Sequence, residues 1–438
     1  MKQFFCSRWR SVRLASLFHE NTVKNEDFLL SNALQFRYGS IVQKKKFDLT
    51  SDLIETYKKY TLIQPGDIMI NGLNLNYDFI TQRVALVPST GIITSAYICL
   101  RPRNSVNYRF YTYYLKALDA LKVFNVLGTG IRLTLSYDSI KNMVLPLPPR
   151  EEQDQIVRYL DWQGSKINRL IAAKRKEIAL LHEQHKRRIS EAVLHGNDDG
   201  CCQKDSGVEW IGMIPEHWSV IRCKYVFTER DERSIAGEEE HLSMSQKYGL
   251  VPDSKLDERR MLSESYVGGK VCYKNDLVLN RLKAHLGVFA LSPQKGVISP
   301  DYTVLIPNAE RILPTYGEAV LKSDLCRREL RIRVRGIIEG FWRLYTDDFN
   351  TIVIPLPPLK EQEQIMKHLS ALNNKFTALK QRLEQEINIL HELRTRLISD
   401  VVTGQIDVRG IKVPDDEYIN NEITEEEFEE ESENNEEE

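Results

Sequence analysis

The chain lacks any apolar run approaching the roughly 18 residues that a membrane-spanning helix needs. Its opening, MKQFFCSRWRSVRL, is basic but has no apolar core, so no secretory signal is expected. Cysteine is sparse: the seven residues (6, 99, 201, 202, 223, 272 and 326) form no CxxC pair and have no histidine at zinc-like spacing. The adjacent Cys201 and Cys202 read as bystanders in a linker, and a reduced, cytoplasmic setting is expected. Catalytic signatures are missing too. VGGK (267–270) has no upstream glycine for a phosphate loop, GTG (128–130) is too short for a nucleotide fingerprint, and neither HExxH nor GxSxG occurs. Nor is there an NPPY-like tetrapeptide with a glycine-rich loop, which a self-contained modification enzyme would need. Finally, Lys and Arg are absent from residues 415–438, which hold fourteen carboxylates; without them the net charge of −2 becomes +12. A body with that excess is drawn to polyanions, and the tail is expected to be solvated and disordered.

What the chain does have is itself, twice. LPLPPREEQDQI (145–156) returns as IPLPPLKEQEQI (354–365), 209 residues later. The same shift pairs Trp9 with Trp218, Phe18 with Phe227, Asp67 with Asp276, Asn71 with Asn280, Leu135 with Leu344 and Asp138 with Asp347. GIITSAY (91–97) meets GVISPDY (296–302) only after the register slips by four. Between anchors the copies diverge, so a framework repeats while its contents vary.

The first part of each copy mixes β-type runs with helical stretches. DIMING, RVALVP and AYICL answer DLVLNRL, GVFALS and YTVLIP, while FYTYYLKALDALKVF and AVLKSDLCRRELRIRV read as helical. This predicts an α+β globule. Asp67 and Asp276 each follow a turn (QPGD, YKND) into a strand and read as Asx-type turn residues. The second part is a helix opened by the double prolines, with Glu151, Glu152 and Glu361 at the positive end of its dipole. In copy two, Ile365, Leu369, Leu372, Phe376, Leu379, Leu383, Ile387, Leu390, Arg394, Leu397 and Val401 alternate by four and three, the mark of a coiled-coil seam. Copy one gives Ile156, Leu160, Gln163, Ile167, Leu170, Lys174, Ile178, Leu181, His185, Arg188 and Ala192. His182, His185, His368 and His391 lie in these helices and read as structural. Some 45 residues of helix span about 65 Å.

The expected architecture is therefore α+β. Residues 1–150 form a first head, 151–195 its helix, 196–207 a linker, 208–359 a second head, 360–403 its helix and 404–438 an acidic tail. The two helices are expected to pair as an antiparallel coiled coil with pseudo-twofold symmetry. Basic residues cluster in the heads: Lys44, Lys45, Lys46, Arg101, Arg103 and Arg132 in the first, Arg281, Lys283, Arg327, Arg331 and Arg343 in the second. Lysine and arginine neutralise phosphates, and a few arginines can read base edges. Arg132 and Arg343 each follow a glycine (GIR, GFWR) and precede the same Leu…Asp step. A coiled-coil scaffold with two protein-binding heads is the other reading that these features allow.

PLPPLKEQEQI, the helix ending LISDVVTGQIDVRG, and GVEWIGMIPEHW (207–218) resemble the shared regions of type I restriction–modification specificity subunits, over residues 9–410. The resemblance implies that each head is a target recognition domain reading half of a bipartite DNA sequence, with the coiled coil setting the spacer. It implies a subunit without catalysis that docks two DNA adenine methyltransferase subunits and joins restriction endonuclease/translocase subunits. S-adenosylmethionine, ATP and Mg²⁺ would belong to those partners, with no cofactor on this chain. Head one departs from the pattern: it begins at CSRW without the GVEWIG opening.

Overall fold

A computed structural model describes residues 8–37, 39–44, 50–75, 82–103, 106–128, 133–197, 200–245, 248–255, 266–336 and 342–414. Lys45, Lys46, Arg132 and the acidic segment 415–438 lie outside them. Among the described residues, 8–174 with 385–414 pack as one compact unit and 175–384 as a second.

In unit one, head one is closed by an antiparallel ladder between its first and last strands, β1 (Arg10–Arg13) and a strand at Val144–Leu147, with Arg10 opposite Leu147. Between them a four-stranded antiparallel sheet runs in the order β2 (Phe18–Glu20), β5 (Ile98–Pro102), β3 (Ile68–Ile70), β4 (Val84–Leu86). The strands read as unbroken apolar runs because both faces of the sheet are covered. Ile68, Ile70, Val84 and Leu100 join the main core, while Met69, Ala85 and Cys99 face a smaller one under Leu34, Ile41 and Ile63. Helix α1 (Tyr108–Ala120) packs on the main-core face, its Asn107 N-cap accepting from Arg109 N and Phe110 N. The closing strand Val144–Leu147 is β6.

Unit two repeats this plan in nearly the same register. β7 (Ser219–Arg222) pairs with β12 (Val353–Leu356), Ser219 opposite Leu356. The sheet order is β8 (Phe227–Arg230), β11 (Tyr302–Pro307), β9 (Leu277–Asn280), β10 (Phe289–Leu291). Ile68 lies opposite Leu86 in head one and Leu277 opposite Leu291 in head two, so the four-residue slip falls in the connection between these strands. The turns before β3 and β9 also match: Gly66 (φ 94°) and Asn275 (φ 71°) take the left-handed position, which Gly and Asn tolerate best. Asp67 and Asp276 then accept from Gln64 N (3.0 Å) and Tyr273 N (2.8 Å). AVLKSDLCRRELRIRV is two helices, α3 (Pro314–Lys322) and α4 (Asp324–Arg333), because Ser323 Oγ caps the second by accepting from Cys326 N.

The long helices are α2 (Arg150–His195) and α5 (Leu359–Val402), of 46 and 44 residues. The first half of α2, as far as Lys174, belongs to unit one. There Asn168 meets Arg394 (3.2 Å) and Lys174 meets Glu386 (2.7 Å), so the two chains run antiparallel. In unit two, His185 stacks on Phe376 (4.1 Å, 9°) while Val193 shares a core with Ile365, again antiparallel. The seam departs from the heptad reading at three slots, one of them the exposed Arg188. Leu170 is 52% exposed and its neighbour Ile171 is buried, and Leu379 is 41% exposed. A straight helix at 3.6 residues per turn drifts off a 3.5-residue stripe, and the helix ends bury a face against the heads as well.

His182 also lies against Phe376. Burial and the nearby Lys186 and Lys380 push its pKa below the ordinary histidine value. The unfolded chain therefore takes up a proton that the folded one resists. Unit two is expected to lose stability as pH falls through about 6.5. Urea midpoints at pH 7.5 and 5.5 check this: the loss should shrink in His182→Gln, and an equal loss in both proteins would refute it.

Candidate nucleic-acid interface

Two Asx turns build the loops that follow β3 and β9. Asn71 Oδ1 accepts from Leu73 N and Asn280 Oδ1 from Leu282 N, both at 3.1 Å. Each loop then receives the segment before the short helix that leads to the closing strand. Leu135 N donates to Gly72 O (2.8 Å) and Leu344 N to Arg281 O (3.0 Å). The anchoring is the same in both heads while the residues presented differ: Gly72-Leu73-Asn74 in one, Arg281-Leu282-Lys283 in the other.

In head two this brings four of the five basic candidates together. Arg281 Nε donates to Asp301 O (2.8 Å), and Arg343 lies 3.8 Å from the Asp301 carboxylate. Arg343 is held in place by paired backbone hydrogen bonds with Arg335, whose guanidinium in turn bonds Asp348. Lys283 opens the turn that ends at Gly287, and Arg327 of α4 lies over that glycine. A Cβ at Gly287 would sit 3.2 Å from Arg327 Nε, so the absent side chain makes room for the guanidinium stem. Arg327 Nε itself is buried and has no hydrogen-bond partner among the described residues. Arg331 follows one turn later on the same helix face and is exposed. The cluster's cations exceed its acids, Asp301 and Asp324, which are themselves engaged.

Head one is different. Arg101 spends its fork on the fully buried Asp67, Nε to Oδ1 at 2.8 Å and a terminal nitrogen to Oδ2 at 2.7 Å, which raises its pKa further. The guanidinium is committed inside the head. Head two keeps the buried acid, Asp276, but draws its arginine, Arg230, from the neighbouring strand. Arg103 reaches Ala15 O (3.3 Å), and Lys44 follows the Ser40–Gln43 strand with its backbone N–H on Ala33 O (2.9 Å). One residue that supports the loop of head one escaped the sequence reading. Arg83 is buried and donates to Asn71 O (3.2 Å) and Leu73 O (2.8 Å), so it holds the loop from behind. As the first residue of RVALVP it looked like a strand start, and no single-residue signal marked it.

No nucleophile stands out among these groups. Burial pushes the Cys99 thiol up to about 12 and raises Cys223, Cys272 and Cys326 as well, so none is a thiolate at neutral pH. Among the described residues no cluster of three or more His, Cys, Asp or Glu could hold a metal ion, and no helix is long and apolar enough to cross a membrane.

A family model described as the type I restriction modification DNA specificity domain matches residues 7–180 and 231–388. The MjaVIII type I restriction enzyme specificity subunit of Methanocaldococcus jannaschii is 24% identical over 420 residues, covering 92% of this chain and 94% of that protein. The EcoKI type I specificity subunit of Escherichia coli K12 is 21% identical over 425 residues, covering 90% and 87%. In fold, the chain is similar to one from a type I R-M system solved to explain its assembly and conformational transition. There the TM-score is 0.60 at 15% identity, covering 92% and 99% of the two chains.

Proposed function

Because the chain belongs to the type I restriction–modification DNA specificity family, we propose that it is the non-catalytic subunit that chooses the DNA sequence for such a complex. Each head reads one half of a bipartite target. The paired helices set the spacer between the halves and dock two DNA adenine methyltransferase subunits, and restriction endonuclease/translocase subunits join the assembly. S-adenosylmethionine, ATP and Mg²⁺ are held by those partners. The observation that carries this reading is the pair of equivalently anchored loops with unrelated chemistry, Gly72-Leu73-Asn74 against Arg281-Leu282-Lys283. Two readers of different half-sequences need such an arrangement: a fixed mount and exchangeable contents.

Arg281 and Arg343 are assigned base or phosphate contacts in head two. Arg281→Ala or Arg343→Ala, assembled with the cognate methyltransferase, is expected to weaken duplex binding by about 1–3 kcal/mol at matched salt. A base contact relaxes one position of the half-site; a phosphate contact weakens all sequences evenly and lowers the salt slope. Unchanged affinity in both variants would return the cluster to a solvated surface. For the spacer, inserting four residues beside Leu383 is expected to lengthen the unspecified stretch, and an unchanged stretch would count against the helices as its ruler.

A further inference from the structure

The loop after β3 is fastened through its main chain and leaves one amide side chain to solvent. Five consecutive carbonyls are engaged. The buried Arg83 donates to Asn71 O (3.2 Å), Leu73 O (2.8 Å) and Asn74 O (3.4 Å). Gly72 O accepts from Leu135 N (2.8 Å), and Leu75 O from Asn125 Nδ2 (2.6 Å). Arg83 is itself held: its backbone N–H donates to Asp119 Oδ2 (2.7 Å), and its carbonyl accepts from Asn71 N (2.8 Å). A Cβ at Gly72 would come within 2.7 Å of Leu135 O, so glycine is what lets the two segments approach this closely. Asn74 has φ 52°, in the left-handed region. Its side chain is exposed and makes no hydrogen bond among the described residues.

Such fastening fixes the backbone at Asn74, and with it the origin and direction of the side chain, before any ligand arrives. A group that reads a base edge needs that preorganisation. The amide carries an acceptor oxygen beside a donor nitrogen, and adenine offers the complementary pair in the major groove, N6 donating and N7 accepting. Guanine presents two acceptors there, cytosine a donor, and thymine an acceptor and a methyl group. In head two the matched place, three residues beyond Asn280 as Asn74 is beyond Asn71, holds Lys283, which can only donate. Two arginines of head one are spent elsewhere, Arg101 on Asp67 and Arg83 on the loop itself. We infer that Asn74 is a specificity-determining residue of head one, reading an adenine edge through both atoms of its amide, and that Arg83 is the positioning residue that holds it there. The inference rests on the DNA-reading function proposed above.

The test uses the full-length chain assembled with the cognate methyltransferase, and duplexes in which each base pair of the target is replaced in turn. Asn74→Gly suits the left-handed backbone at least as well and removes only the amide. A purely structural asparagine would therefore tolerate it. The variant should instead lose roughly ten- to hundredfold discrimination at one A·T pair of one half-site, with the other positions and the urea midpoint not lowered. Asn74→Asp, which only accepts, should shift preference at that pair toward cytosine, whose N4 donates. Arg83→Met should lose the same discrimination while the dependence of affinity on salt stays as it was, since no phosphate contact is removed, and Arg83→Lys should recover part of it. A weaker salt dependence in Arg83→Met would make that residue a phosphate contact and overturn its positioning role. If Asn74→Gly discriminates as the wild type does, or is weakened evenly at all positions, the inference is overturned and the DNA-reading function stands. A wild-type chain that discriminates nowhere sinks that function, and the inference with it.

Discussion

Exchanging residues 219–356 for the corresponding head of a relative changes one half of the recognised DNA sequence and leaves the other half as it was. The reason is geometric. β7 and β12 lie side by side with Ser219 opposite Leu356, so the chain enters and leaves head two at adjacent residues. Head one closes the same way, with Arg10 opposite Leu147. Whatever folds between those pairs can be replaced without moving the helices, provided that the surface facing them is kept. In head two that surface includes Tyr316, whose hydroxyl donates to Val193 O (3.0 Å) and Pro355 O (3.3 Å). Mapping methylated adenines in cells that carry the cognate methyltransferase reads the outcome. A change in both halves, or in neither, would refute the modular account.

Gln362→Ala is expected to destabilise unit two by about 3 kcal/mol, a large effect for one polar side chain. Gln362 is fully buried at the joint between head and helix. Its Nε2 donates to Pro357 O and Arg311 O, both at 2.9 Å, and its Oε1 accepts from Leu313 N at 2.7 Å. Truncation strands three main-chain groups, Pro357 O buried and Arg311 O and Leu313 N part-buried, at roughly 1–3 kcal/mol for the buried one and less for the two that water can reach. Gln153 makes the same clasp in unit one, to Pro148 O (2.9 Å) and from Asn107 N (3.2 Å), and should respond in the same direction. Urea unfolding followed by a probe in unit two measures the loss. A cost below about 0.5 kcal/mol would mean that the prolines alone fix the joint.

This clasp shows what the sequence disclosed and what it hid. The repeated Glu-Gln after PLPP was visible, and so was the need for a joint; that glutamine was its fastener was not, because all of its bonding partners are main-chain atoms. The strands were legible because burial on both faces leaves an apolar run. The paired Asp67 and Asp276 announced a turn, and each does cap one. Their ion pairs stayed hidden because the arginine changes strand between copies, from Arg101 to Arg230, so no fixed spacing links them. The basic residues of head two were legible as a local excess in the sequence, but which of them lie side by side was not. The cluster is assembled by Leu344 N on Arg281 O and by a glycine that clears space for Arg327, neither of which leaves a mark on composition.

The core of head one contains Val401, Val402 and Val408, whereas the core of head two is complete once Leu369 is in place, with Ala192, Val193 and Leu194 already made. On the ribosome this inverts the order of the sequence. The second head can close while translation is still under way, and the first waits, with an apolar face uncovered, for residues 401–408 to emerge. A message truncated inside α5 would therefore yield a chain whose earlier half, fully synthesised, is the half left unfinished.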